Sequence, residues 1–445
     1  MVTRFSRQFT KVRRYLCADA LHALLRARFR QIASQGQNGV VLPLVDALLS
    51  AFAMFSLKDP SLLAFDARRH DRNLQNLYGI GQVPSDTHMR ELLDPLDPEQ
   101  LRPAFGDVFR QLQRGKALEG LVFYQGCYLL LLDGTGYFSS QKIHCESCLQ
   151  KVNKDTGEVT YQHQLLGAAL AHPDHHEVIP LAPEPIVQQD GSTKNDCERN
   201  AAKRLLRKIR QEHPRLPLIV VEDGLASNAP HIRELNAWGM HFILGVKPGD
   251  HPFLFAEAIT AIEEGRVTTI RWKAGDTHCE LSFVNRVSLN ESNPDIVVNV
   301  LQYGEYGPDG EVRKLFSWVT DLRITRGNAR LLVRGGRARW KIENETFNTL
   351  KNQGYHYEHN YGHGQQHLSV VFALLMMLAF LVDQAQQLCC PLFQAVWEKF
   401  GSKRALWDNL RSHFRHFLFH SMEHLYEVML YDLAKEVPAP ACDTS

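Results

Sequence analysis

Residues 128–132 read YLLLL, a continuous apolar run that stops at Asp133-Gly134. A short run without polar alternation suits a strand buried on both faces, and such strands lie in sheets covered by helices. A second run, LIVV at 218–221, leads into Glu222-Asp223-Gly224. Between the two, 161–171 and 177–181 read as strands joined by a turn holding His172, His175 and His176, read as surface residues. Residues 196–212 then form a helix, with Ala201, Ala202, Leu205, Leu206 and Ile209 at helical spacing and Lys203, Arg204, Arg207, Lys208 and Arg210 on the other face. A helix at 232–238 and a strand at 241–246 follow. Three strands, helix, strand, helix, strand predicts an α/β core: a mixed sheet flanked by helices, in a chain that is α+β overall.

With 445 residues there is room for two to three domains of roughly 150 residues. Residues 1–120 read as helical, and 121–249 as the first part of the core. The 250–320 segment breaks the alternation with four strands, at 267–272, 279–287, 295–303 and 314–319, and is expected to be a β-rich insertion. Residues 321–380 resume the core with a helix at 337–351, RARWKIENETFNTLK, which sets Trp340, Phe347 and Leu350 on roughly one face. The 381–445 segment is helical, rich in Leu, Phe and Trp.

Lys and Arg number 50 against 49 Asp and Glu, which excludes a uniformly basic nucleic-acid coat but not local positive patches. Two such patches exist. The first 30 residues hold Arg4, Arg7, Lys11, Arg13, Arg14, Arg26, Arg28 and Arg30 against Asp19 alone. Between Asp321 and Lys341 lie Arg323, Arg326, Arg330, Arg334, Arg337 and Arg339. Charge of this kind suits phosphate contacts. Near the first patch, a helix, a Gly79-Ile80-Gly81 break and a helix capped by Ser85 form either a DNA-reading pair or an ordinary helical hairpin. The apolar stretches at 40–57 and 368–382 are interrupted or too short for a membrane span and read as core helices. The basic N-terminus has no clean apolar segment behind it. Nine cysteines, an odd number spread over a long chain, argue against a disulfide framework. The expectation is a cytoplasmic protein with no membrane partner.

Asp133 and Asp223 each follow a buried strand, at the sheet rim where α/β proteins place their sites. Two carboxylates pushed together repel unless a cation lies between them. Glu343, on the helix after the insertion, is a third. Hard oxygen ligands suit Mg²⁺. Two divalent ions about 4 Å apart would activate a nucleophilic oxygen and stabilise the leaving oxygen of a phosphodiester.

Three stretches carry a family resemblance: LLLLDGTGYF around Asp133, LIVVEDGLASN around Asp223, and SWVTDL followed by RARWKIENETFNTLKNQGY around Glu343. They resemble the DDE transposases of bacterial insertion sequences, cut-and-paste enzymes with an RNase H-like catalytic domain. The β insertion matches one branch of that family, and the resemblance extends over about 120–380. It implies an RNase H-like sheet, Asp133, Asp223 and Glu343 as catalytic and metal-binding triad, two Mg²⁺ ions with Mn²⁺ as substitute, and DNA as partner, both element terminal repeats and target. It further implies cleavage at element ends to release a 3′-OH and strand transfer by that 3′-OH, nucleoid association, and a homodimer on paired DNA ends. The family's signature helix carries an Arg four residues before the Glu, matched by Arg339, and a Lys seven residues after it. Here 350 is Leu and the lysine is Lys351, which on an α-helix turns the side chain by about 100°. The tyrosine expected three residues before the Arg is replaced by Gly336. Arg337, Arg339, Lys341 and Lys351 are the expected DNA-binding residues, and Glu345 is a rival to Glu343. Alternatives to a transposase are a non-catalytic DNA-binding relative and a nuclease that cuts without joining.

Cys145-x-x-Cys148 has zinc-ligand spacing, and Cys197 and His163 could complete a set of four. No second CxxC exists, and a plain hairpin with free thiols is the simpler reading. His359, His363 and His367 are spaced by four, but Gly362 and Gly364 predict a polar loop there. No Walker A loop or GxGxxG is present.

Overall fold

The computed structural model describes residues 11–32, 42–187, 197–433 and 437–438. Arg4 and Arg7 of the basic N-terminal patch, residues 40–41 of the first apolar stretch and Asp196 lie outside these. A 12-stranded mixed sheet organises the chain. Its core strands are β1 (Cys127–Ser140), β2 (Val159–Ala171), β3 (Glu184–Ile186), β4 (Leu218–Glu222) and β5 (His241–Gly245). They lie side by side in the order β3, β2, β1, β4, β5. The β1–β2 and β2–β3 pairs are antiparallel, while β1–β4 and β4–β5 are parallel. This is the mixed RNase H-like arrangement expected. Leu129 to Leu132 and Leu218 to Val221 are buried, as unbroken apolar runs covered on both faces must be.

Two expectations about strands need correction. The first strand does not stop at Asp133. It runs on to Ser140, because Asp133 to Ser140 pair with Gly167 to Tyr161 of β2 while the parallel partner β4 already ends at Glu222, level with Leu132. Secondly, 177–181 supplies only the two-residue strand Ile179–Pro180, and Glu184–Ile186 does the rest of that edge.

The insertion begins with a helix that the β-rich reading missed, Pro252–Glu263, with Pro in its first turn. The strands β6 (Thr268–Ala274), β7 (Thr277–Asn290), β8 (Asn293–Tyr306) and β9 (Val312–Thr320) follow as an antiparallel meander. It extends the core sheet, because β9 pairs with β5 through Trp318↔Gly245, Val319↔Leu244 and Thr320↔Ile243.

Helices cover the rest. In the N-terminal region, α1 (Ala18–Phe29), α2 (Leu44–Ser56) and α3 (Asp86–Leu93) precede the sheet. Ser85 caps α3 by accepting from the His88 amide, and Gly79 takes a left-handed φ of 71° at the break before it. Within the core, α4 (Glu198–Glu212) and α5 (Ala229–Ala237) flank β4. After the insertion come α6 (Ala329–Arg337), α7 (Leu368–Cys389), α8 (Pro391–Phe400), α9 (Lys403–His416) and α10 (Met422–Tyr431). The apolar stretch expected at 368–382 is the first two-thirds of α7. It is long and apolar enough to cross a membrane, and its apolar window is buried throughout inside the protein. Both α2 and α1 pack on it, and α1 also meets α10, so N-terminal and C-terminal helices share one core.

Candidate active site

The parallel register aligns the two aspartates. Tyr128 stands opposite Leu218 and Leu131 opposite Val221, so the same register carried on sets Asp133 of β1 level with Asp223, the residue just past the end of β4; adjacent strands lie about 4.8 Å apart. At Asp223 the strand gives way to a turn whose first amide, from Leu225, the Asp223 carboxylate accepts at 3.0 Å.

Glu343 reaches the same place from the helix that follows α6. The expected single α-helix over 337–351 is interrupted. A π-helical turn spans Ile342–Phe347 and an α-turn Asn348–Asn352 completes it. π-turns of this kind cluster at functional sites. Ile342 and Phe347 are buried on either side of Glu343. They rest on Gly167, the residue of β2 paired with Asp133: a Cβ there would lie 2.8 Å from Phe347 and 3.6 Å from Ile342. Glycine at 167 is therefore what lets the helix sit close to the sheet, with the charge of Glu343 within reach of Asp133. The wider turn also changes the outward positions. Trp340, expected on the same face as Phe347 and Leu350, is 47% exposed, whereas those two are buried. A π-turn takes one more residue than an α-turn. Lys351, one place late for an α-helix, is thereby brought back toward the angular position that the seventh residue after Glu343 would hold.

Burial raises the Asp133 carboxyl above the ordinary carboxylate range. The Arg339 guanidinium pulls it back, and the charges of Asp223 and Glu343 push it up. Arg339 donates to Asp133 Oδ2 at 2.9 Å. A fourth carboxylate, missed in the sequence, belongs to this group. Glu198, at the start of α4, is raised by burial and then by Asp133, Asp223 and Glu222, and it lies over Gly134, where a Cβ would be 2.2 Å from its Oε1. Its only signal in the sequence is its place at the N-terminus of a core helix. Glu222 is engaged elsewhere, 2.6 Å from His231 Nε2. A cleft of about 350 Å³ opens here, lined among others by Asp133, Glu198, Asp223 and His231. Glu343 does not line it.

Glu345 faces another way. It lies 3.8 Å from His176 and shares a separate cleft with Glu177 and Lys403. The four expected DNA-binding residues separate too. Arg339 is at the acids. Arg337 pairs with Glu305 at 3.0 Å and lies over Phe316 of the insertion. Lys341 donates to the His175 carbonyl, and Lys351 pairs with Glu358 at 2.9 Å. Cys197, once a possible zinc ligand, is exposed and lines the acidic cleft.

Asp133, Asp223 and Glu343 come from three elements, and their charges, with the Arg339 guanidinium, act on one carboxyl. The transposase DDE domain model matches residues 153–381, just over half of the chain. The chain belongs to the DDE transposase family. The match holds Asp223, Glu343 and Arg339 and begins after Asp133. No curated protein matches the chain. Domains of this family act on DNA in transposition and use divalent metal ions.

Since Arg339 opposes the upward push on Asp133, its removal has a calculable sign. The carboxylate form is the one that holds a cation. Arg339→Ala raises the Asp133 pKa further, so the acid limb of a cleavage–pH profile moves to higher pH. Arg339→Lys should recover most of that shift. An unmoved acid limb in Arg339→Ala would show that Asp133 does not set it.

Proposed function

We propose that this protein cuts the ends of a mobile DNA element and joins them to target DNA, with Asp133, Asp223 and Glu343 as its metal-binding and catalytic carboxylates. The observation that carries the reading is the level placement of Asp133 and Asp223 on adjacent strands with the charge of Glu343 acting on the same carboxyl. The donors are all hard oxygens, which fits two Mg²⁺ ions, with Mn²⁺ as substitute. Bound there, the ions would supply Lewis-acid stabilisation to the attacking and leaving oxygens of an in-line displacement.

The chain's own residues supply the rest. Asp223 is held in place by its turn amide and Asp133 by Arg339. Gly167 sets the depth of the Glu343 helix. Arg337, Lys341 and Lys351 lie on the same stretch of chain and would exchange internal partners for phosphates as DNA is seated. Trp340, exposed and in contact with the Arg339 guanidinium at 4.9 Å, offers a ring for base stacking next to the cut. Two ends cut together call for at least two subunits, and we propose a homodimer on paired DNA ends.

The test is an excision assay on a plasmid carrying the gene in its native flanking DNA. Wild type should give excised element and rejoined donor, Glu343→Gln neither, and Glu345→Gln close to the wild-type amount. Excision by Glu343→Gln with loss in Glu345→Gln would transfer the third ligand to Glu345. Cut ends that never appear joined to a target would leave a nuclease.

A further inference from the structure

Away from the acids, the structure gathers four soft ligands that the sequence scatters over more than two hundred residues. Cys145 and Cys148 lie in the loop that leads from β1 to the short strand Leu149–Val152. His163 is on β2, opposite Phe138 of β1. His363 is in the loop between the Glu343 helix and α7. Cys148, His163 and His363 are buried and Cys145 is partly so. One ligand atom from each lies within 4.8 Å of all the others.

We propose that Cys145, Cys148, His163 and His363 bind one structural zinc ion. Zinc–sulfur and zinc–nitrogen bonds of about 2.3 and 2.05 Å at tetrahedral angles require edges of about 3.8 Å between sulfurs and about 3.5 Å between sulfur and nitrogen. The two sulfurs are 3.8 Å apart. His163 Nε2 is 3.4 Å from each sulfur, and His363 Nε2 is 3.4 Å from Cys148 Sγ. These four edges match the tetrahedron, and two thiols with two imidazoles are a preferred structural zinc set. Four protein ligands leave no open position, which marks the site as structural. The Cys145 amide donates to Cys148 Sγ at 3.4 Å, a contact that disperses thiolate charge. Both rings aim Nε2 at the sulfurs. Their Nδ1 atoms are buried without a hydrogen-bond partner among the described residues, so contact with the sulfurs, not an outer hydrogen bond, fixes how the rings are turned.

The ion would join parts of the fold that no covalent link connects. The His363 loop is held to the helical region by Asp94, whose carboxylate accepts the amides of Gln365 through Leu368 at the start of α7. Left-handed φ values at Gly362 and Gly364 turn His363 back toward the sheet. Zinc there fastens the β1–β2 hairpin to the segment that leaves the Glu343 helix, and through Asp94 to the N-terminal helices. This role is separate from DNA chemistry, and the zinc is a different ion from those proposed at the carboxylates.

Elemental analysis of the full chain, purified without chelator, should find about one zinc per chain that a mercurial thiol reagent releases. Asp133→Asn should retain it, while Cys148→Ser and His363→Ala should retain less than about a tenth. His363→Cys, which keeps a ligand, should retain it. Cobalt titration of reduced wild-type protein covers the case in which the ligand variants do not fold. It should give the thiolate charge-transfer and visible bands of a tetrahedral Cys₂His₂ centre. Wild-type protein that carries no zinc and shows no such bands would overturn the proposal, leaving a cluster of free thiols or a Cys145–Cys148 disulfide. Zinc retained in folded Cys148→Ser and His363→Ala would overturn it as well.

Discussion

Asp133→Asn is expected to abolish DNA cleavage, by at least about 10³-fold, while binding of element-end DNA survives. The size follows from the charge. The carboxylate lies level with Asp223, within the field of Glu343, and holds Arg339 at 2.9 Å. An amide keeps the shape but removes one negative ligand from the set. Loss of the charge stabilisation that a bound divalent ion gives a phosphodiester is worth several kcal/mol, and about 4 kcal/mol is a factor of 10³. The substitution also removes a partly buried carboxylate raised first by burial and then by the charges of Asp223 and Glu343, so the variant should fold about as well as wild type at neutral pH. Binding rests on basic residues elsewhere and should change by a small factor. Gel shift with end DNA, beside cleavage in Mg²⁺ and in Mn²⁺, separates the two. Cleavage retained within tenfold would exclude Asp133 from the metal set, and binding lost with the fold intact would make it a contact residue.

Much of this site was legible in the residues themselves. The apolar runs before Asp133 and Asp223 placed both at the end of a buried strand, at a sheet rim, because only a strand covered on both faces carries no polar alternation. Register was not legible. That Asp133 lies mid-strand depends on which partner stops first, a property of pairing between distant segments. The third acid was legible through the resemblance of its helix to a family pattern, but its misplaced lysine was not explicable. A π-turn over Ile342–Phe347 supplies the reason, and no local signal marks it, since IENETF has ordinary helix composition. Glu198 was invisible for a different reason: an acid at a helix N-terminus is what any helix prefers. The zinc-type cluster illustrates the same limit. Cys145 and Cys148 have ligand-pair spacing, with His163 among the candidates for completing a set, but free thiols in a plain hairpin are the simpler reading of the sequence. The fourth ligand came from a loop 215 residues from Cys148, where glycines had argued correctly against a helix and so hid a histidine with a role.

The insertion extends the sheet instead of standing apart, and this ties it to the helix that carries Glu343. Its last strand pairs with β5, and Arg337, between β9 and Glu343 in the chain, bonds to Glu305 of β8 and lies over Phe316 of β9. The insertion therefore bears directly on the helix that presents Glu343. A DNA strand contacting β6 to β9 would act on the helix that carries Glu343 through Arg337 without touching it.

Asp383→Ala is expected to destabilise the whole protein by about 3–5 kcal/mol, the usual cost of leaving a buried charge without its partner. Lys58 ends α2 with a left-handed φ of 57° and is 1% exposed. Its ammonium meets Asp383 of α7 at 2.5 Å and lies 3.9 Å from the ring of Trp407 on α9. Tyr355, from the segment after the Glu343 helix, donates its hydroxyl to the same carboxylate. One ion pair thus joins an N-terminal helix, the core and the C-terminal helices. Burial lowers the Lys58 pKa and Asp383 opposes that fall, so without the carboxylate Lys58 sheds its proton or draws water inward. Lys58→Met should cost a similar amount, because it strands the carboxylate. The double variant Lys58→Met/Asp383→Leu should recover most of the loss, since apolar pairs of similar volume replace buried ion pairs at little cost. Urea midpoints followed by tryptophan fluorescence and by far-ultraviolet circular dichroism measure this. If the two probes move together in Asp383→Ala, the N-terminal and C-terminal helices unfold with the sheet as one unit. If the two midpoints part, with the circular dichroism showing an early loss, the helices form a separate unit, and the ion pair stabilises only that body. A double variant no more stable than either single one would show that the pair's worth lies in the contacts of Trp407 and Tyr355 rather than in its charges.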